Sequence, residues 1–182
     1  MIDLNGQKLR ATTVVGVIKD GKAALGSDGQ MTLGNTVMKN TTKKVRKLFN
    51  NTVLVGFAGG TADAFTLIER FEEKLEANRG NLVKASIALA KDWRTDRYLR
   101  KLEAMMIAMN KDQLLLLSGT GDVIEPDDCI VSIGSGGAFA LAAGTALLRH
   151  SNLSAKEIVE ESLKIAGNIC IYTNTNITLE EL

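Results

Sequence analysis

The chain has 182 residues, 45% of them hydrophobic, with one histidine, two cysteines and a formal net charge of +1. That is enough apolar material for one domain with a full core, and the near-zero charge offers no footprint for nucleic acid or an anionic membrane surface. No stretch reaches the roughly 18 apolar residues of a transmembrane helix, and residues 1–11 are too polar for a signal peptide, which needs an apolar run of about 7–15, so the chain is expected in the cytoplasm.

In chain order, residues 13–18 and 23–27 are short β-prone runs joined by Asp20-Gly21, a hairpin signal. Strands are expected at 45–49 and 52–56, with Asn50-Asn51 as the turn. Gly59-Gly60 then gives way to helical periodicity, with Phe65, Ile68, Phe71 and Leu75 on one face. A second helix opens at Asn81, a good N-cap, and turns Leu82, Ala85, Leu89 and Trp93 inward. Strands resume at 104–108 and 113–118 around the turn Asn110-Lys111-Asp112. A strand at 130–133 runs through Gly134-Ser135-Gly136-Gly137 into an alanine-rich helix ending at Arg149. Ser154-Ala155-Lys156-Glu157 is a capping box that starts the last helix, with Ile158, Ser162 and Ala166 on one face, and 169–172 is expected as the closing strand. Strands, two helices, strands, two helices is the order of an α+β fold with two packed sheets and helix layers outside, not of an alternating βαβ fold. With one proline and no repeat or low-complexity tract, residues 12–182 read as a single domain behind a leader, 1–11.

Ala11-Thr12-Thr13, followed by Ser27-Asp28-Gly29 and Lys43-Lys44, carries the chemical signal. A threonine hydroxyl is a weak nucleophile, and His150 alone leaves little from which to build a Ser-His-Asp relay. Cleavage before Thr12 would supply a base, because the freed α-amine lies two carbons from Oγ1 and can take its proton. An α-amino pKa of roughly 7.7–8.0 leaves a useful neutral fraction, enlarged by a nearby cation. Lys44 suits that part and Asp28 would orient it. This is the logic of an N-terminal-nucleophile hydrolase. Thr13 is the rival nucleophile, exposed by cutting one bond later. Lys43 is the weaker candidate for the cation, since strand alternation sends neighbours to opposite faces. The remaining basic residues, Lys39, Arg46 and Lys47, read as a solvated face. Gly134-Ser135-Gly136-Gly137 lacks the Gly-Lys-Ser/Thr of a P-loop and the third glycine of a dinucleotide fingerprint, which excludes nucleotide binding there. Cys129 and Cys170 lack zinc-site spacing and partners and read as small reduced residues.

Longer strings point to a family. Thr12-Thr13-Val14-Val15-Gly16-Val17, Gly29-Gln30-Met31-Thr32-Leu33-Gly34-Asn35-Thr36-Val37-Met38-Lys39, Gly56-Phe57-Ala58-Gly59-Gly60-Thr61-Ala62-Asp63-Ala64-Phe65, Lys91-Asp92-Trp93-Arg94-Thr95-Asp96-Arg97, Ile133-Gly134-Ser135-Gly136-Gly137 and Ala166-Gly167-Asn168-Ile169-Cys170-Ile171-Tyr172-Thr173-Asn174 resemble the HslV (ClpQ) family. Its members are peptidase subunits of the bacterial ATP-dependent HslUV protease, within the proteasome-β-like N-terminal-nucleophile hydrolases. The resemblance spans 12–182 and implies a four-layer αββα sandwich, two stacked hexameric rings, unfolded protein substrates, and a hexameric AAA+ unfoldase, HslU, as partner and sole user of ATP. One departure is that the family pattern removes little more than an initiator methionine, whereas eleven residues precede Thr12 here.

The resemblance also implies site residues. Thr12 is the nucleophile, Asp28 holds Lys44 and the Thr12 amine, Lys44 lowers the pKa of hydroxyl and amine, Gly56 gives the oxyanion donor, and Ser135 bonds the Thr12 amine. Each has a plainer alternative: a strand-start threonine, a turn aspartate, a solvated lysine, a strand-end glycine. The carbonyls of Gly167, Cys170 and Thr173, spaced by three across a helix end, are implied to hold a structural sodium ion; no cofactor is implied for the chemistry itself. Two other readings stay open: a ring subunit whose Thr12 is never freed, and an amidohydrolase acting on small amides.

Overall fold

The computed structural model describes residues 12–59, 61–102 and 104–182, apart from the side chains of 61–63, together with two backbone strands before Thr12. Residues 1, 2, 5, 6, 11, 60 and 103 lie outside the described residues. In chain order the elements are β1 (Asp3–Leu4), β2 (Gln7–Arg10), β3 (Thr13–Lys19), β4 (Lys22–Ser27), β5 (Met31–Leu33), β6 (Thr36–Lys39), β7 (Val45–Leu48), β8 (Val53–Ala58), α1 (Thr61–Ala77), α2 (Leu82–Thr95), a 3₁₀ turn (Leu99–Lys101), β9 (Met105–Met109), β10 (Leu114–Ser118), β11 (Val123–Ile124), β12 (Ile130–Gly134), α3 (Gly137–His150), α4 (Ala155–Ile169) and β13 (Thr178–Glu181).

Two antiparallel sheets make the middle layers, in the orders β12-β3-β4-β13 and β11-β10-β9-β8-β7, and a small third sheet runs β1-β2-β5-β6. Side-chain alternation explains the stacking. On β3, Val14 enters the layer between the two large sheets, with Leu25, Leu54, Ile107 and Met109. Its neighbours Val15 and Val17 face α3 and α4, among Ala140, Ile158, Val159 and Leu163. On β8, Leu54 faces the middle, while Val53, Val55 and Phe57 meet Leu67, Phe71, Leu89 and Trp93 from α1 and α2. A strand apolar on both faces needs a cover on each. Three apolar layers therefore separate four structural ones, and the αββα sandwich expected from the strings is what the chain forms.

The helix starts follow their caps. Asn81 accepts from the Lys84 N–H at 3.0 Å, and Ser154 and Glu157 make the reciprocal capping box. Leu82, Ala85, Leu89 and Trp93 are all buried, as are Ile158, Ser162 and Ala166. Asp20 and Gly21 take positive φ of 52° and 70°, the mirror-image turn that matches strand twist.

Two expectations need correction, and one hairpin is additional to them. Residues 169–172 are not a strand: α4 runs to Ile169, and the chain turns before the closing strand, β13, pairs with β4 through Thr178↔Ser27. Phe65 is not on the buried face of α1, being 52% exposed beside the Arg46 guanidinium; Leu67 takes the inward place. The hairpin β5–β6 is absent from the sequence reading, because its turn, Gly34-Asn35, joins strands of only three and four residues, in which Thr32 alone is buried. Among the described residues no helix is long and apolar enough to cross a membrane.

Candidate active site

Thr12 stands immediately before β3, only 2% exposed, and its backbone takes φ of 121°. A β-branched residue resists that conformation, which costs on the order of 1–3 kcal/mol and persists only where its surroundings hold it. The β12–α3 junction does so. The Ser135 N–H donates to the Thr12 carbonyl at 2.8 Å, and a Cβ at Gly134 would sit 2.0 Å from that same oxygen. Glycine there is a condition of the close approach.

Asp28, at the end of β4, is fully buried, and each carboxylate oxygen accepts two bonds. Oδ1 takes the Thr13 N–H at 2.7 Å and Lys44 Nζ at 2.7 Å. Oδ2 takes the Gln30 N–H at 2.8 Å and the Asn174 N–H at 3.3 Å. Lys44 also donates to the Gln30 carbonyl at 2.7 Å. Burial pulls the Lys44 ammonium below the usual lysine range, and the charge and hydrogen bond of Asp28 oppose that. Removing one partner of such a pair strands the other as a buried charge, typically a loss of about 3–5 kcal/mol. Lys43, next in the chain, is exposed, but not by strand alternation: both lysines precede β7, and Lys44 and Val45 are buried in succession.

The rival threonine has other work. Thr13 is fully buried, its hydroxyl accepts from the Gly136 N–H at 2.9 Å and meets Thr173 Oγ1 at 2.7 Å. A hydroxyl so engaged is a strut between β3, the start of α3 and the loop after α4. Thr12 instead lines a cleft of about 50 Å³ with Lys44; Met31, Phe57, Ala64, Phe65 and Ile68 give it apolar walls, and the exposed Lys43 and Arg46 border it too.

Two sequence assignments shift. Gly56 is not on that cleft. It is buried in mid-strand, paired with Val45 on one side and Ile107 on the other, and a Cβ there would lie 2.6 Å from Val14 Cγ1. Its work is packing between the sheets. The glycine on the cleft is Gly59, where β8 has ended and φ reaches 152°. Ser135 does adjoin Thr12, but through its backbone N–H, with its side chain exposed. Gly167 lies in the last turn of α4, Cys170 caps it, and Thr173 follows, donating its N–H to the Cys170 carbonyl at 3.0 Å. Gln30 and Asn174 carry no site role in the sequence reading, and Thr13 enters it only as a rival nucleophile. The partners that give Thr13 and Asn174 their work lie 160 and 146 residues away, and Gln30, though it bonds Asp28 two residues back, reaches Lys44 only through its carbonyl, which residue type does not signal.

The arrangement can hold a cation beside a threonine at the mouth of an apolar cleft. Comparison with known proteins gives the family. The family model for proteasome subunits matches residues 9–182. The ATP-dependent protease subunit HslV of Cytophaga hutchinsonii is 64% identical over 175 residues, covering 96% of this chain and 97% of that protein. The same subunit from Chlorobium luteolum is 61% identical over 174 residues, 96% of each. The chain belongs to the HslV family. Among solved structures, the eukaryotic HslV from Trypanosoma brucei superposes with a TM-score of 0.89 at 41% identity, covering 93% of this chain and 98% of that one. As an HslV, the chain is a threonine-type peptidase with the proteasome-type fold.

Proposed function

We propose that the mature enzyme begins at Thr12 and cleaves unfolded polypeptides fed to it by a partner ATPase. The observation that carries this reading is that Lys44, held by the buried Asp28, lines the same cleft as Thr12. In the reaction, the Thr12 α-amine takes the hydroxyl proton as Oγ1 attacks the scissile carbonyl carbon. The tetrahedral intermediate expels the amine half of the substrate, which receives that proton, and leaves an ester on Oγ1. Water, deprotonated by the same amine, attacks the ester carbon and returns the proton to Oγ1 as the acid half departs. Lys44, held by Asp28, favours the neutral amine. Backbone N–H groups at the end of β8, beside Gly59, take the oxyanion role first given to Gly56. Ser135 and its glycine neighbours hold the Thr12 carbonyl fixed.

The partner is a hexameric AAA+ ATPase of the HslU kind, and the chain works in the cytoplasm as two stacked six-membered rings. Relatives named ATP-dependent protease subunits support the ATP requirement. Of the basic run, Lys39, Lys43 and Arg46 remain at the surface to meet a partner's carboxylate, whereas Lys44 is buried and Lys47 donates to the Glu181 carbonyl. A sodium ion at the carbonyls of Gly167, Cys170 and Thr173 fits the negative end of α4, since a carbonyl that accepts one bond retains a second lone pair. The ion would brace the loop that carries Thr173. Exchange of sodium for tetramethylammonium should then lower the melting temperature.

The deciding experiment is intact mass together with peptide hydrolysis on protein made in its native host. Active protein should start at Thr12. A fully active sample that still begins at Met1 would sink the mechanism and favour another nucleophile.

A further inference from the structure

Asp28 and Lys44 are separated by the hairpin β5–β6, which leaves the sandwich after Gly29 and returns at Asn40. Gly29 and Asn40 are pressed together at its base: the Thr42 N–H donates to the Gly29 carbonyl at 2.9 Å, and a Cβ on Gly29 would lie 2.2 Å from the Asn40 carbonyl oxygen. Any spreading of this base moves Asp28 away from Lys44.

One side chain from elsewhere spans the base. Asn174, in the loop between α4 and β13, accepts the Gly29 N–H on Oδ1 at 3.0 Å. Its Nδ2 donates to the Asn40 carbonyl at 3.1 Å and to Asn40 Oδ1 at 3.2 Å. Oδ1 also takes the Asn176 N–H at 3.1 Å, so the amide makes four hydrogen bonds, its full complement. The backbone N–H of the same residue donates to Asp28 Oδ2. An amide is suited to this place because one end must accept and the other donate, which neither aspartate nor leucine can do.

We propose that Asn174 is a positioning residue for peptide hydrolysis, clamping the base of the β5–β6 hairpin so that Lys44 stays on Asp28 and beside the Thr12 amine. This rests on the reading of Asp28 and Lys44 given above. Asn176 is the natural control. Its side chain donates to the same Asn40 carbonyl at 3.0 Å, but no hydrogen bond of that side chain reaches residues 28–30 among the described residues.

The test uses assembled mature rings and a short fluorogenic peptide, with Asn174→Ala, the isosteric Asn174→Asp, Asn176→Ala and Asp28→Asn side by side. Misplacement of a catalytic group by about 1 Å can cost on the order of 100-fold. Both Asn174 variants should therefore lose about 10- to 100-fold in kcat, with KM within about twofold. Their acid pH limb should move upward, because an amine that has lost its neighbouring cation holds its proton to higher pH. Asn176→Ala should keep parental kcat and pH profile. The proposal is overturned if Asn174→Asp folds with a lowered melting temperature yet keeps parental kcat and pH limb, for then the clamp is only structural. If Asp28→Asn alone leaves rate and profile unmoved, the reading of the site fails and this proposal with it.

Discussion

Thr12 and Thr13 are chemically identical neighbours with opposite fates. Thr13 Oγ1 is spent on Gly136 and Thr173, while Thr12 opens on the cleft in a backbone conformation that a β-branched residue resists. Thr12→Ala should abolish peptide hydrolysis and leave the fold intact, since it removes a hydroxyl and little packing. Thr12→Ser, which keeps hydroxyl and amine, should retain part of the rate. A fluorogenic-peptide assay checks both, and parental activity in Thr12→Ala would identify the wrong nucleophile. Lys44 and Lys43 both border the cleft but differ in setting, one buried and paired, the other exposed with no ion pair among the described residues. Lys44→Ala should cost on the order of 10²–10³ in rate, and Lys43→Ala less than about twofold. The pH profile adds a signed test. Lys44 acts as the cation, and burial lowers its pKa, so activity should decline on the alkaline side before the ordinary lysine value is reached. An arginine does not lose its proton in this range. Lys44→Arg should therefore be slower yet lack that alkaline limb, and survival of the limb would assign it to another group.

At the scale of elements, local signals sufficed where the partner was local. Asn81 and Ser154 each cap a donor three residues on, and both helices start where those caps place them. Ser154→Ala should cost about 1 kcal/mol in thermal or denaturant unfolding without altering hydrolysis. Gly56→Ala tests the reassigned glycine: a methyl 2.6 Å from Val14 Cγ1 overpacks the layer between the sheets. A destabilisation of about 1–3 kcal/mol in denaturant unfolding is expected, and unchanged stability would show that the position is not tightly packed. Where partners were distant, the periodic signal failed. β13 carries a single leucine among Thr178, Glu180 and Glu181. It is a strand because the edge of β4 is there to pair with it. Phe65 follows the helical period of α1 but faces Arg46 from the β7 side, at a place where the layer of helices has no further cover.

For the molecule as a whole, the strands before Thr12 have a consequence. β2 pairs with β5 through Leu9↔Leu33 and Arg10↔Thr32, so the uncleaved leader lies along the strand that borders the cleft at Met31. Protein retaining residues 1–11 should be inactive even toward short peptides, and activity should appear in step with the mass of the Thr12 form. Access and activation by the ATPase belong to this scale too. Rings alone should cleave a short peptide slowly, and addition of the ATPase with ATP should raise the rate. A short peptide diffuses in unaided, so stimulation would report a shift between two arrangements of the site. Full activity of the isolated rings would remove the allosteric step and leave the peptidase in place.

From its sequence alone the chain was committed to the local parts of this design: caps, tight turns, doubly apolar strands, and a threonine, an aspartate and a lysine each standing just outside a strand end. These depend on neighbours within a few residues, where period and residue type carry the information. The tertiary structure alone decided that Gly56 packs while Gly59 borders the cleft, that Thr13 is a strut, and that Asn174 closes the hairpin base from 134 residues away. Hydrogen bonds of that span follow no period. They exist only after the two sheets have stacked and brought the end of the chain back beside its first strands.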